Sequence, residues 1–103
     1  MSRAAVRFHP SAAEEAECAF RWYAERSPEA ASGFREELRH AVGALSAAPT
    51  RWPRYGTRVR RYVFPRFPFS LVYRVLEGKV EILAVAHGKR RPGYWSSRLS
   101  PAP

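Results

Sequence analysis

The groups in this chain best equipped for chemistry are cationic and aromatic, and they are interleaved through its second half. Arg58, Arg60, Arg61, Arg66, Arg74, Lys89, Arg90 and Arg91 lie on or beside strand-like segments, together with Tyr62, Phe67, Tyr73, Tyr94 and Trp95. The densest run is His87-Gly88-Lys89-Arg90-Arg91-Pro92-Gly93-Tyr94-Trp95. A guanidinium is a flat, permanently charged fork that grips phosphate or carboxylate at two points and stacks on rings. Aromatic faces accept unpaired bases. Such a set can neutralise a nucleic-acid backbone, or it can receive an acidic, amphipathic protein segment. Arginines that do no more than keep the protein soluble are the third reading.

Other chemistries are poorly supplied. The chain has no Asp, Asn or Gln, and its three histidines, His9, His40 and His87, fall in different elements without ligand spacing, so no metal site is expected. Its glycines are isolated and form no phosphate loop, and no cofactor is expected. Seven of the nine Glu lie in helical segments, where the simplest role is a solvated helix-face charge. Of the other two, Glu77 sits in a turn and Glu81 suits an Arg partner. The single cysteine, Cys18, reads as a small buried hydrophobe and excludes an internal disulfide. His87 ends a strand beside the basic run, where it can shuttle a proton near neutral pH or make a structural hydrogen bond to the backbone.

The charge is segregated along the chain. Residues 1–37 carry five Arg against seven Glu, whereas residues 38–103 carry eleven Arg and two Lys against two Glu. One part is nearly neutral and the other is a polycation, which favours a polyanion or an acidic protein as partner. No apolar run approaches the roughly 20 residues of a membrane span, and the N-terminus lacks the apolar core of a signal peptide. The expectation is a soluble, cytoplasmic protein with no membrane partner.

These groups need a scaffold, and 103 residues suffice for one domain, expected over residues 1–99 with Ser100-Pro101-Ala102-Pro103 as a disordered tail. Ala4 to Phe8 alternates weakly and reads as an opening strand. Pro10 stands at a first helical position, and Ala13, Ala16, Phe20 and Tyr23 recur at helical spacing, predicting an amphipathic helix over 11–26. Ser27-Pro28-Glu29 starts a second helix, with Phe34, Leu38, Val42 and Leu45 on one face until Pro49 stops it. The tight break between them predicts an antiparallel helical hairpin. From Thr50 to Thr57 the chain is a loop, after which the period changes to two. Strands are predicted at Val59–Phe64, Phe69–Val75 and Lys79–Ala86, joined by short turns into an antiparallel meander. The helices would cover one face of this sheet and leave the other face and the strand ends free for a partner.

The order of strand, two helices and three-stranded meander, with Phe69-Ser70-Leu71-Val72-Tyr73-Arg74-Val75 and Ala84-Val85-Ala86 leading into the basic run His87 to Trp95, resembles the toxin family of type II toxin–antitoxin modules that includes RelE and ParE. The resemblance covers about Val6 to Arg98. It implies an α+β fold of the RelE/ParE kind with a short basic C-terminal segment. It also implies a bacterial protein that arrests growth when free and is neutralised by a cognate antitoxin in a hetero-oligomer. In this family the antitoxin wraps an extended or helical, often acidic, segment around the hairpin and sheet. Phe20, Tyr23, Phe34, Arg60, Arg61, Tyr62 and Arg74 are the antitoxin-binding residues this implies.

The family divides by mechanism. RelE-like members are ribosome-dependent endoribonucleases that cut mRNA with basic residues on the strands and a tyrosine near the C-terminus. Ser70 stands where their key arginine is expected, and their two alternate basic positions on the preceding strand are Arg61 and Val63 here. Arg90 and Tyr94 match the later arginine and tyrosine approximately, with a different spacing. If the chain is RelE-like, its catalytic residues are Arg61, His87, Arg90 and Tyr94, but the phosphate in flight has lost two charge partners, each worth roughly a few kcal/mol in a desolvated transition state. The ending Arg90-Arg91-Pro92-Gly93-Tyr94-Trp95 resembles ParE-like toxins, which poison DNA gyrase without catalytic residues of their own. That resemblance assigns toxicity and target binding to Lys89, Arg90, Arg91, Tyr94 and Trp95, and it is the preferred reading. A non-catalytic nucleic-acid-binding module and an inactive toxin that still binds an antitoxin are the remaining alternatives.

Overall fold

Two prolines start the helices, and the residue before each one caps it. In the computed structural model, which describes residues 3–99, α1 spans Pro10–Ala24 and α2 spans Pro28–Ala47. The expected tail at Ser100–Pro103 lies outside the described residues. His9 caps α1 by accepting the Ser11 N–H at its Nδ1 (3.0 Å), and Ser27 Oγ caps α2 by accepting from the Ala30 N–H (3.1 Å). Each cap satisfies one of the N–H groups that a helix start leaves without a partner. α2 ends two residues before Pro49, as the bias of a pre-proline residue against helical backbone requires.

The strands are β1 (Val6–Phe8), β2 (Arg60–Val63), β3 (Phe69–Leu76) and β4 (Lys79–His87), ordered β1-β4-β3-β2 in one mixed sheet. β2, β3 and β4 form the expected antiparallel meander, and β1 adds to its edge in parallel, with Val6 opposite Val80 and Phe8 opposite Ile82. Glu77 and Gly78 close the β3–β4 hairpin with φ of 52° and 75°. A two-residue turn with both residues left-handed matches the twist of the strands it joins. The pairing shifts between Val72 and Tyr73, because Val72 faces Ala84 and Tyr73 faces Ile82, so Leu83 is an extra residue in β4. As a result Leu83 and Ala84 both turn away from the helices, while Ile82 and Val85 face them.

The main core lies between helices and sheet, with Phe34, Ala41 and Leu45 of α2 against Leu71, Tyr73, Val80 and Ile82, all fully or almost fully buried. Tyr23, Phe34, Phe67 and Phe69 pack as aromatic pairs with ring centroids 5.2 to 6.5 Å apart. The buried Tyr73 hydroxyl donates to the Pro49 carbonyl (2.7 Å), and burial pushes its pKa up. Burying the ring gains apolar transfer energy only because the hydroxyl keeps that partner.

Three expectations need correction. The second face of the sheet is not left open, since Val59, Val72, Leu83, Ala84 and Ala86 are covered by Trp95, Tyr55, Tyr94 and Leu99. Leaving those side chains in water would forfeit about 25 cal/mol for each Å² of apolar surface, and residues 94–99 fold back to cover it. Cys18 is exposed rather than buried, because the buried positions of α1 are Ala12 and Ala19, whose small side chains let the helix lie against β4. The helix glutamates are not all solvated. Glu37 is only 5% exposed and Glu15 is 17% exposed in its side chain, since each falls on the buried face of its helix. Glu37 accepts from the backbone N–H and the Nε of Arg66, both at 2.9 Å, and ties the β2–β3 loop to α2.

Candidate functional site

Past His87 the chain leaves the sheet and makes a series of tight turns. Gly88 N–H donates to the Pro68 carbonyl (2.8 Å), Arg90 N–H to His87 (3.0 Å), Tyr94 N–H to Arg91 (3.2 Å) and Ser96 N–H to Gly93 (2.9 Å). Gly93 has φ of 80°, a left-handed conformation that a side chain would strain, and it redirects the chain so that Trp95 turns inward. A short 3₁₀ turn, Ser96–Arg98, follows. Lys89, Arg90 and Arg91 are all exposed, whereas Tyr94 is half-buried and Trp95 is 8% exposed. Of the five residues assigned to target binding, the three cations therefore present a surface and Trp95 is a core residue that fixes the segment they stand on.

These turns bring four scattered residues together. Arg61 of β2, His87, Arg90 and Tyr94 line one small cleft of about 150 Å³, with Ser70, Arg91 and Trp95 also in its wall. The Arg61 guanidinium lies over the Tyr55 ring (4.2 Å to its centre) and that of Arg90 over the Tyr94 ring (3.8 Å). The aromatic faces orient the cations without neutralising them. His87 Nδ1 accepts the Lys89 N–H (3.0 Å), so this ring nitrogen serves the backbone turn.

Tyr94 is held for a different purpose from that of a base. Its hydroxyl donates to Glu15 Oε2 (2.9 Å). Burial pushes its pKa up to about 12, and the hydrogen bond to Glu15 and that residue's negative charge add to the shift. It stays protonated at neutral pH, which makes it a poor proton acceptor. Chemically, the cleft is equipped to hold an anion between Arg61, Arg90 and Arg91.

The residues assigned to antitoxin binding fall in different environments. Phe34 is fully buried and Tyr62 is 7% exposed, so both are core. Phe20 and Tyr23 are half-buried. Arg35 covers the Phe20 ring (3.9 Å), and Phe20 lines a groove of about 290 Å³ along the hairpin with Phe8 and Leu38. Arg60 Nη1 donates to the Trp52 carbonyl (2.7 Å) and Arg74 pairs with Glu81 (2.8 Å); among the described residues neither Arg60 nor Arg61 has an acidic partner.

Glu15, expected only as a solvated helix-face charge, holds a place in the site that the sequence reading missed. Its carboxylate accepts four hydrogen bonds at 2.9 Å, from Val85 N–H, Tyr94 hydroxyl and both terminal nitrogens of Arg98. The one signal was its position three residues after Ala12 and four before Ala19, which is the buried face of α1.

Residues 6–92 match the family model of the ParE toxin of the type II toxin–antitoxin system parDE. The chain belongs to this ParE toxin family. The ParE match takes in the hairpin, the sheet and the basic residues Lys89, Arg90 and Arg91, and it stops short of Tyr94, Trp95 and Arg98. Among solved structures, this ParE-family chain is similar to one in the chromosomal ParDE system of P. aeruginosa, with a TM-score of 0.72 and 21% identity over 82% of this chain and 96% of the other. It is also similar to a chain of the toxin–antitoxin complex RelBE2 from Mycobacterium tuberculosis, with a TM-score of 0.55 and 24% identity over 84% of this chain and 93% of the other. At these identities the likeness establishes the RelE/ParE-like α+β fold. No curated protein matches the chain. Among the described residues, no cluster of three or more His, Cys, Asp or Glu could hold a metal ion, and no helix is long and apolar enough to cross a membrane.

Proposed function

We propose that this ParE-family toxin arrests bacterial growth in the cytoplasm by poisoning DNA gyrase, with Lys89, Arg90 and Arg91 as the residues that meet the target and a cognate antitoxin as its neutralising partner. The observation that carries this reading is the match to the ParE toxin model over residues 6–92. Two features of the site support it. Ser70 in the cleft wall and Val63 beside it on β2 lack two of the charges a ribonuclease needs, and the Tyr94 hydroxyl is engaged in a hydrogen bond to Glu15 instead of standing free as a base. A non-enzymatic toxin has no use for either group.

An antitoxin partner is supported by the similar chains, which come from a ParDE system and from a toxin–antitoxin complex. The polycationic second half of the chain would steer an acidic segment toward it, and apolar contacts along the Phe8–Phe20–Leu38 groove would supply most of the tight binding.

Purified protein added to gyrase and supercoiled DNA should trap cleaved DNA, and induced expression should stop growth with DNA breaks. The Arg90→Ala/Arg91→Ala double variant should lose both effects while still binding the antitoxin. Arrest accompanied by codon-phased cuts in ribosome-bound mRNA, with gyrase unaffected, would overturn this reading.

That outcome belongs to the second reading, a RelE-like endoribonuclease, which one observation favours: Arg61, His87, Arg90 and Tyr94 do line a single cleft. There Arg61→Ala and Tyr94→Phe should suppress cutting. Salt-dependent binding to many nucleic-acid sequences with no arrest would instead identify a binding module or an inactive toxin.

A further inference from the structure

The basic segment carries three exposed cations, yet it has no regular secondary structure of its own beyond tight turns. Something must hold it in one conformation. β4 runs past the end of β1, since the last pair of the parallel ladder is Phe8 with Ile82 and His9 N–H still reaches the Ile82 carbonyl (2.8 Å). Beyond that point the chain turns into α1, and the outward N–H of Val85 would lack a strand partner. Glu15 Oε1 supplies it at 2.9 Å. The same carboxylate takes both terminal nitrogens of Arg98 and the hydroxyl of Tyr94, each at 2.9 Å, and Arg98 Nη1 also donates to the Leu83 carbonyl (2.9 Å). The Tyr94 ring, fixed at its hydroxyl, lies under the guanidinium of Arg90 (3.8 Å).

We infer that Glu15 is a positioning residue for toxicity. It clamps both ends of the segment 94–98 to α1 and β4, and through the Tyr94 ring it sets the direction in which Arg90 faces the target. The inference rests on the reading of the basic segment as the part that meets the target. Released from Glu15, the segment would be anchored mainly by Trp95 and would sample more conformations, and the apparent affinity for the target would fall by the fraction that remains competent.

The test compares wild type with Glu15→Ala and Glu15→Gln, reading amide hydrogen exchange and gyrase-linked DNA cleavage over a range of protein concentrations. In Glu15→Ala, exchange should rise across residues 88–99 and stay unchanged in α2 and β3. The half-effect concentration should rise about tenfold with the maximal cleavage unchanged, a pattern that global unfolding does not give. Glu15→Gln keeps one acceptor oxygen and should fall between the two. Should Glu15→Ala fail to fold, Arg98→Gln opens the clamp from its other side and should give the same two changes. Unchanged exchange in 88–99 would overturn the clamp, and raised exchange with an unchanged half-effect concentration would overturn the positioning role. If Arg90→Ala/Arg91→Ala retains full potency, it is the effector reading that fails, while the exchange result still decides the clamp.

Discussion

Arg66 and Glu37 meet across the junction of loop and helix in an unequal pair: the arginine side chain is 70% exposed, whereas the glutamate is 5% exposed. The carboxylate therefore depends on Arg66 for both of its protein hydrogen bonds, one from the backbone N–H and one from Nε. Removing a partner from a buried charge costs more than removing the charge itself. Arg66→Ala should destabilise the protein by about 2 kcal/mol, and Glu37→Met, which replaces the charge by an apolar chain of similar length, by less. Urea unfolding of the two variants gives the order directly.

Tyr94 ties stability to alkaline pH. Its pKa in the folded protein is about 12, above the ordinary 10, so the folded state holds the proton more tightly than the unfolded chain. The stability linked to this proton is fully present below pH 10 and is lost as pH rises from 10 through 12. Absorbance titration at the tyrosinate band should show a late step near pH 12 that Tyr94→Phe removes, and Tyr94→Phe should lose less stability than wild type over that window.

Trp95 divides packing from recognition. It is buried against Val59, Val72 and Leu83, so Trp95→Ala should cost about 3 kcal/mol by opening a cavity under the basic segment. Thermal unfolding should register the loss. Arg91→Ala changes an exposed side chain, and its melting temperature should stay near that of wild type.

The β3–β4 turn carries a correctable strain. Glu77 adopts φ of 52°, where residues with a long side chain are disfavoured and asparagine is tolerated. Glu77→Asn should stabilise the protein by about 0.5–1 kcal/mol, which a raised denaturation midpoint with an unchanged slope would show.

The sequence by itself determined the elements and their order. Pro10, Ser27-Pro28 and Pro49 bound the helices, the change of period after Thr57 marks the sheet, and Leu76-Glu77-Gly78 marks its last turn. These signals are local, because backbone sterics and side-chain alternation act within a few residues. Glu37 and Glu15 were legible only in part. Each stands in line with buried positions of its helix, Phe34 and Ala41 for one and Ala12 and Ala19 for the other, but helical spacing does not say whether a partner waits on that face.

The tertiary structure alone decided those partners and the site. Glu15 meets Arg98 from eighty-three residues away, Trp95 leaves the surface to cover the sheet, and the parallel edge strand β1 stops short so that a side chain completes the β4 ladder at Val85. A buried carboxylate is tolerated only where enough donors converge on it. That convergence follows from the way α1, β4 and the C-terminal turns pack together, which no local pattern in the chain encodes.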